Sequence, residues 1–547
     1  MNSVNTNYYP MKSLILLIFT LLGFSCFAQE QNKLQPYVLI VQPIVVQSDE
    51  GNDPASMALP EDLVDNAYKN AGVDFHFLEP VFYNNTKARD GLINLDEIVR
   101  ESEKIGLLKG QNDIVNMFFV NTVDGIKGPL GRGMMGGNIT FIALGDNSEM
   151  DAEELKYMQA FVITHEVGHN LSLKHAVNDP NVSDTLPNIQ GDGDFKDRID
   201  PKYSLNEYQI NIVHNSPLVH SRIDFLSKEQ GAKGILDESF EAYFSQLQFR
   251  EIAAFVNEKV PTDDITKGRA FAKEKFASAV IDFTDKEKEI ITFVNQKVIE
   301  TLQKNNLSLM ANHPWRFIKI EDWLCGGFAH TRGTFIILSQ KHIDHLTKMW
   351  SDQMTPEEET ELLKGFGGLL VHEQMHSLQR TYKSKFNELY TNYWNFVHAN
   401  VPIEKSIQID QVSNPDAPIS EWIIPNTNDK DSYFWVRTLL KKGSEIPVMG
   451  KDFTDKVFTV EQIEGEYRVL KDTDGKTISH ELSHIDFYRN SFPVTRGLDH
   501  PNEISAYMFS DYYKALLTNE KPFGNINSDA EKNVTQFIKW IQLEMNR

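Results

Sequence analysis

Two five-residue segments with apolar flanking residues place two histidines four residues apart, with a glutamate directly after the first. The segments begin at His165 and at His372. At 3.6 residues per turn, side chains four apart project from one face of a helix, so each pair of imidazoles can bind the same divalent cation. With 16 histidines in 547 residues, chance predicts about 0.07 such segments. Their apolar flanking residues also suit buried helices, so both segments indicate zinc sites.

The first segment is followed by a third ligand candidate. His165 and His169 form the pair, and His175 reaches the same ion only if the helix ends near Leu171 and the chain turns sharply. Three protein ligands with one open position are typical of catalytic zinc. Glu166 lies on the neighbouring side of the helix, where its carboxylate can accept a proton from the attacking water.

This pattern resembles the metzincin signature HExxHxxGxxH, and the resemblance covers about residues 36–225. It implies a peptidase domain of α/β type in which His165, His169 and His175 bind zinc and Glu166 is the catalytic base. It also implies that an extended polypeptide is the substrate.

Two positions depart from the metzincin pattern. Ser172 stands where the family carries glycine, and a left-handed backbone costs a non-glycine residue roughly 1 kcal/mol. Metzincins also place a methionine turn beneath the zinc, whereas no methionine occurs between His175 and Met310. The apolar stretch Leu186-Pro187-Asn188 is predicted to replace that turn, and a helix is expected to follow it from about Tyr203.

The second segment needs a ligand from elsewhere in the chain. His372 and His376 are its ligand candidates and Glu373 its base. A helix predicted to begin at Pro501 carries Glu503 in its first turn, and Glu503 is the candidate third ligand. The alternative interpretation is that Glu503 has no metal role and is simply an acidic residue that the helix dipole favours at this position.

Two histidines on one helix with a glutamate from a later helix resemble the gluzincins, the thermolysin-like class. Asn502-Glu503 matches their Asn-Glu pair, although 503 − 376 = 127 residues is a long separation and implies an insertion. Tyr507 is the candidate donor to the developing oxyanion, with His500 and Tyr488 as competitors.

Weaker signals remain open. A third segment, HELSH, contains His480 and His484, but its surroundings favour a hairpin over a helix. These histidines could be outer donors to the second zinc, and coincidence is the alternative. Four aspartates in one loop could bind calcium, although a solvated loop is the default expectation: Asp192, Asp194, Asp197 and Asp200.

The elements around the motifs predict an α+β protein with two peptidase-like domains. Strands and helices alternate up to residue 225, with strands expected at 37–46 and 75–83 and from 114 and 139. A proline within the first of these hints at an edge strand or a bulge. A glycine-containing stretch predicts a linker at 226–235. Residues 236–547 are expected to form a larger, mainly helical domain with a small sheet, including a helix capped by Thr284 and Glu287 and strands from 315 and 334.

Two strand-like runs precede the predicted zinc helices. They read ITFIAL from Ile139 and TFIIL from Thr334. Either run could be an exposed edge strand that pairs with an extended substrate. The alternative, of comparable weight, is that both are interior strands.

The N-terminal residues are typical of a secretory signal. A basic residue and about a dozen apolar ones precede Ala28, so residues 1–28 are predicted to be removed on export, to a secreted or periplasmic location. Lipid attachment at Cys26 is the alternative. The mature chain would retain only Cys325 and no transmembrane segment. A net charge of −23 disfavours nucleic acid as a partner.

Together these features predict an exported zinc metalloendopeptidase with up to two zinc ions and a polypeptide substrate. One alternative is a polypeptide- or glycan-binding protein in which one or both sites are inactive. Another is a zinc amidase acting on a cell-wall substrate.

Overall fold

The computed structural model describes residues 34–546 except 128–129, 146–149, 184, 428, 430 and 525. The predicted signal peptide, with Cys26, lies outside these residues. The fold is a mixture of sheets and helices. The helices of the described residues are α1 Glu61–Tyr68, α2 Thr86–Arg89, α3 Leu95–Lys104, α4 Ala152–Asn170, α5 Phe195–Arg198, α6 Glu207–His214, α7 Lys228–Gly234, α8 Phe249–Val256, α9 Ile265–Ser278, α10 Asp285–Lys304, α11 Ser308–Asn312, α12 Gln340–Met349, α13 Pro356–Leu362, α14 Gly368–Thr381, α15 Lys383–Glu388, α16 Lys405–Gln408, α17 Asp486–Arg489, α18 Pro501–Thr518 and α19 Ser528–Glu544.

The first sheet has seven strands in the described residues, and a two-stranded hairpin lies beside it. The strands of this region are β1 Tyr37–Gln47, β2 Val73–Phe77, β3 Val81–Asn84, β4 Val115–Phe119, β5 Thr122–Val123, β6 Ile126–Lys127, β7 Leu130–Gly133, β8 Ile139–Ala143 and β9 Val219–Ser221. The order is β2-β1-β4-β8-β7, and β3 and β9 also pair with β1. Strands β7 and β9 pair antiparallel and the others parallel.

Strand β1 lies inside this sheet although it contains Pro43. The predicted strand 75–83 is split into β2 and β3, and the break between them faces Pro43. There Leu78 N donates to Val41 O, and the Gln42 side chain donates to Glu79 O. The proline therefore lies where the neighbouring strand is interrupted, and its missing N–H breaks no pairing there.

Helix α4 packs on this sheet and carries the first histidine pair. The Asp151 side chain caps its N-terminus, and its apolar face is buried. Strand β7 covers the outer side of β8, so the prediction that ITFIAL could be an edge is wrong. The edge is β7, which approaches α4 so closely that a Cβ added at Gly133 would lie 2.0 Å from Glu166 O.

The rest of the chain contains two further sheets. Their strands are β10 Ile223–Phe225, β11 Val280–Ile281, β12 Trp315–Ile320, β13 His330–Arg332 and β14 Phe335–Ser339 in one, and β15 Val397–His398, β16 Trp422–Pro425, β17 Ser432–Leu440, β18 Phe453–Ile463, β19 Glu466–Val469 and β20 Ser479–Glu481 in the other. The expectation of one small sheet is therefore wrong. The TFIIL run, which forms most of β14, is also an interior strand, because β12 pairs with one side of β14 and β13 with the other.

The predicted linker is structured. Within residues 226–235, helix α7 is capped by Ser227, and its Gly231 packs against Val280 and Ile318. Strand β10 lies at the end of the predicted first domain, 36–225, and pairs with β12 of the second sheet. The glycines that predict a linker in the sequence are therefore part of helix α7, and their lack of a side chain allows this helix to pack closely against a strand.

Buried polar contacts join β2 to the second half of the chain. His76 Nε2 lies 2.9 Å from His313 Nδ1, and His313 Nε2 lies 2.7 Å from Ser377 Oγ on α14. The Tyr382 hydroxyl also contacts His76. Cys325 is a buried free thiol. In the part of the chain that the structure describes, no helix combines the length and apolarity needed to cross a membrane.

Candidate metal centres

The structure brings the three imidazoles of the first site together. His175 Nε2 lies 3.2 Å from His165 Nε2 and 3.0 Å from His169 Nε2. Tetrahedral zinc with Zn–N distances of 2.0–2.1 Å separates its ligand nitrogens by about 3.3 Å. These side chains therefore already have the spacing that zinc requires.

Backbone carbonyls orient two of these imidazoles. His165 Nδ1 donates to Ile189 O at 2.6 Å, and His169 Nδ1 donates to Leu173 O at 2.8 Å. Each Nε2 is left with its lone pair facing the other histidines. Burial lowers the pKa of His165 to about 4, so at neutral pH this imidazole is in the unprotonated form that binds metal.

A left-handed turn after α4 delivers His175. Helix α4 ends at Asn170, and Ser172 has φ +71°. This is the backbone for which the family pattern favours glycine. The predicted stand-in for the methionine turn is wrong, since Leu186 is 58% exposed. Ile189 and Gln190 contact His165 instead, the latter by donating from Nε2 to His165 O at 2.7 Å.

Glu166 is placed between α4 and the edge strand. Its Oε2 accepts a hydrogen bond from Gly133 N at 2.6 Å. Burial raises the pKa of Glu166 to about 7, and the Gly133 N–H and Arg132 act in the opposite direction. A carboxylate whose pKa lies near neutrality suits a general base that later returns its proton.

Open clefts flank the first site. Cavities of about 410 and 570 Å³ share His165, Glu166 and His175 in their walls, and both are bordered by β7. His175 is exposed. The first site is therefore open to solvent along strand β7.

The second site is formed by α14 and α18, as the sequence predicts. His372 Nε2 and His376 Nε2 are 3.2 Å apart, and Glu503 Oε2 lies 3.5 Å from His372 Nε2. Glu503 Oε1 lies 3.8 Å from His376 Nε2 and accepts a hydrogen bond from Asn414. These distances also suit one zinc ion.

Unlike the first site, the second site is enclosed. His372, His376 and Glu503 are all buried. Residues 411–419, which we name the covering segment, contact Glu503 through Asn414 and helix α18 through the His500 contact with Ile419 O. The three ligands are therefore shielded from solvent in this structure.

The base of the second site also contacts an edge strand. The Thr331 hydroxyl, on β13, donates to Glu373 Oε2 at 3.1 Å. Burial raises the pKa of Glu373 well above its ordinary value, and Asp416 and Glu503 raise it further.

Sequence reasoning missed a side chain that orients a ligand of the second site. His376 Nδ1 donates to Gln379 Oε1 at 2.8 Å, and Gln379 Nε2 donates to Asn502 O and Ser505 Oγ. The spacing of three residues on a helix is the signal that could have identified this partner.

The remaining candidates differ in position. The ring of Tyr507 lies 4.3 Å from that of His372, next to the site. The Tyr488 hydroxyl donates a hydrogen bond to Leu498 O. His500 Nδ1 accepts a hydrogen bond from Asn502 N at the start of α18. His480 and His484 are exposed.

Among the described residues, the groups of three or more His, Cys, Asp or Glu side chains that can meet at one ion are the two sites above. The four aspartates from Asp192 to Asp200 do not form such a group, so the structure gives no support for calcium there.

Comparisons with known proteins give only partial likenesses. No protein-family model and no curated protein matches the chain. An archaemetzincin from Methanopyrus kandleri is 11% identical with a TM-score of 0.23, covering 35% of this chain and 98% of its own. An archaemetzincin from Archaeoglobus fulgidus, complexed with malonate, is 16% identical with a TM-score of 0.21. That match covers 32% of this chain and 99% of the archaemetzincin. Metalloproteinase-II from Bacteroides fragilis is 14% identical with a TM-score of 0.23. That match covers 33% of this chain and 53% of the metalloproteinase. With scores this low, the function has to be argued from the sites themselves.

Proposed function

We propose that the chain is a zinc-dependent endopeptidase whose first site hydrolyses extended polypeptides. The observation that carries the proposal is the set of three Nε2 atoms, His175 lying 3.0 and 3.2 Å from the other two, beside Glu166 in an open cleft. Three imidazole ligands, one approachable face and an adjacent base are what metal-assisted hydrolysis needs.

The roles of the residues follow from their positions. His165, His169 and His175 would hold zinc, which when bound acidifies water and polarises a carbonyl. Glu166 accepts the proton of the attacking water and passes it to the leaving amine. The free edge of β7 holds the substrate backbone in an extended form, so the scissile bond lies near Glu166.

We assign the second site a zinc ion that two histidines and a glutamate would hold, with no turnover in the enclosed form. His372, His376 and Glu503 would be its ligands, with Glu373 and Tyr507 in position for catalysis if the covering segment opens. Burial of the ligands favours a second candidate role, in which this half of the chain holds zinc without cutting.

The proposal includes export. Residues 1–28 support it by their composition alone, and the substrates would then be extracellular or periplasmic polypeptides.

The test compares Glu166→Gln and Glu373→Gln in the full-length protein. We expect Glu166→Gln to retain zinc and to reduce casein cleavage by about a hundredfold to ten-thousandfold, because a general base is lost. We expect Glu373→Gln to retain most cleavage. Wild-type cleavage by the first variant would overturn the assignment, and activity only on a cell-wall amide would favour the amidase alternative.

A further inference from the structure

A cavity beside the first site extends from the zinc ligands to an arginine. It holds about 410 Å³, and its walls include side chains from α4 and from the segment that follows His175: Phe161, His165, Glu166, Gln190 and Arg198. The ring of Phe161 lies 5.3 Å from that of His165, and the Arg198 guanidinium carbon lies 3.5 Å from the centre of the same Phe161 ring. One aromatic ring therefore separates this cation from a metal ligand.

Arg198 has unused hydrogen-bonding capacity. Its Nε donates to Asn188 O at 3.3 Å. Among the described residues, no carboxylate lies within ion-pair distance of its guanidinium, and Nη1 and Nη2 have no hydrogen-bond partner. Burial lowers the pKa of Arg198 to about 10, while Asp192 acts in the opposite direction. The guanidinium therefore stays charged at neutral pH, half-buried, with two nitrogens free to bind a ligand.

The other walls of the cavity include Gln190 and apolar side chains. Gln190 is buried and donates from Nε2 to His165 O, but its Oε1 has no hydrogen-bond partner among the described residues. A buried carbonyl oxygen without a partner is unfavourable. The walls provided by Phe161 and Val162 suit the methylene groups of a side chain.

Resting on the endopeptidase function proposed above, we propose that Arg198 selects substrates with an aspartate or glutamate next to the scissile bond. The planar guanidinium can bind a carboxylate through two parallel N–H donors. A neutral amide of the same shape cannot make this charged contact. The exposed carboxylate of Asp192 borders the same cavity and weakens the preference without abolishing it.

The experiment uses paired peptides that differ only in Asp against Asn, or Glu against Gln, at each position flanking the cleaved bond. We expect the zinc-loaded wild type to prefer the acidic member at one position by about tenfold to a hundredfold in kcat/KM. Arg198→Met should remove this preference, whereas Arg198→Lys should keep part of it. Asp192→Asn should increase it.

Lys196→Met is the matched control. It removes the same charge from helix α5, but Lys196 lies over the Tyr157 ring and outside this cavity. It should leave the preference unchanged. Zinc content and melting temperature of each variant show whether Arg198→Met remains folded, and Arg198→Lys provides an independent test if it does not.

A binding measurement separates this proposal from the endopeptidase function. Fluorescence titration of zinc-loaded Glu166→Gln with the same peptides should show tighter binding of the acidic member, and Glu166→Gln/Arg198→Met should not. Cleavage without any acidic preference overturns the role of Arg198 but leaves the peptidase. Preferential binding without cleavage by the wild type overturns the peptidase but leaves the carboxylate site. Neither cleavage nor preferential binding overturns both.

Discussion

Ser172 shows how a single residue balances backbone strain against metal binding. Its φ of +71° is left-handed, and the turn it makes brings His175 to the other two imidazoles. Ser172→Gly should therefore stabilise the protein by about 1 kcal/mol, because the strain of the Cβ is removed. Calorimetry of the zinc-loaded protein measures the effect, with zinc content expected to stay unchanged.

Ser172→Ala is the control for this change. It removes the exposed hydroxyl but retains the Cβ, so its stability should match that of the wild type. A gain in stability with alanine equal to that with glycine would show that strain at residue 172 is not the cause.

Residue spacing predicts which side chains meet at each candidate site better than it predicts the groups that orient them. The four-residue step in α4 and in α14 follows from helix geometry alone, and Glu503 was found because Pro501 indicates a helix start. The support of His165 by Ile189 O could not be predicted, since any residue can supply a carbonyl. Arg198 carries no sequence signal either, because its role depends on where α5 lies relative to Phe161.

At the scale of secondary structure, each HExxH helix lies beside an antiparallel edge strand that binds its glutamate. Gly133 N on β7 donates to Glu166, and the Thr331 hydroxyl on β13 donates to Glu373. Strand β8 was predicted from its apolar residues. Strand β7, with the sequence LGRG, has no such pattern, because its glycines are needed for contact with α4 and not for a core.

Gly133→Ala tests this contact. The added Cβ would lie 2.0 Å from Glu166 O and 3.0 Å from His169 Cβ, so β7 must move away from α4. If β7 binds the substrate as proposed, displacing it by about 1 Å is expected to reduce casein cleavage by about a hundredfold. Gly365→Ala is the control, since its Cβ meets nothing within 4 Å. Unchanged cleavage by Gly133→Ala would argue against β7 as the substrate-binding edge.

The covering segment predicts a difference in metal release between the two sites. His175 is exposed, whereas His376 is fully buried and Glu503 is held by Asn414. A chelator should therefore remove zinc in two phases, and cleavage should be lost with the faster one. Zinc analysis and casein assays on the same samples measure this. Loss of cleavage in step with the slower phase would assign activity to the second site.

At the scale of the whole molecule, buried neutral histidines join β2 to α14. The contact runs from His76 through His313 to Ser377. Burial lowers the pKa of His76 to about 3, with a further contribution from Arg222, and burial also lowers the pKa of His313 well below its ordinary value. No short-range pattern predicted this contact, because the two histidines are 237 residues apart.

These shifts make stability depend on pH. Between about pH 6.5 and pH 3 the unfolded chain binds a proton at His76 that the folded chain does not, so this group lowers stability as the pH falls, by up to about 1.4 kcal/mol per pH unit, and His313 acts in the same direction. His76→Gln should be less stable than the wild type at pH 7.5 but should lose less stability on going to pH 4.5. The exposed His480→Gln should follow the wild type, and thermal melts across this range measure all three proteins. An equal acid-induced loss in His76→Gln and the wild type would show that the buried histidine pair does not link protonation to unfolding.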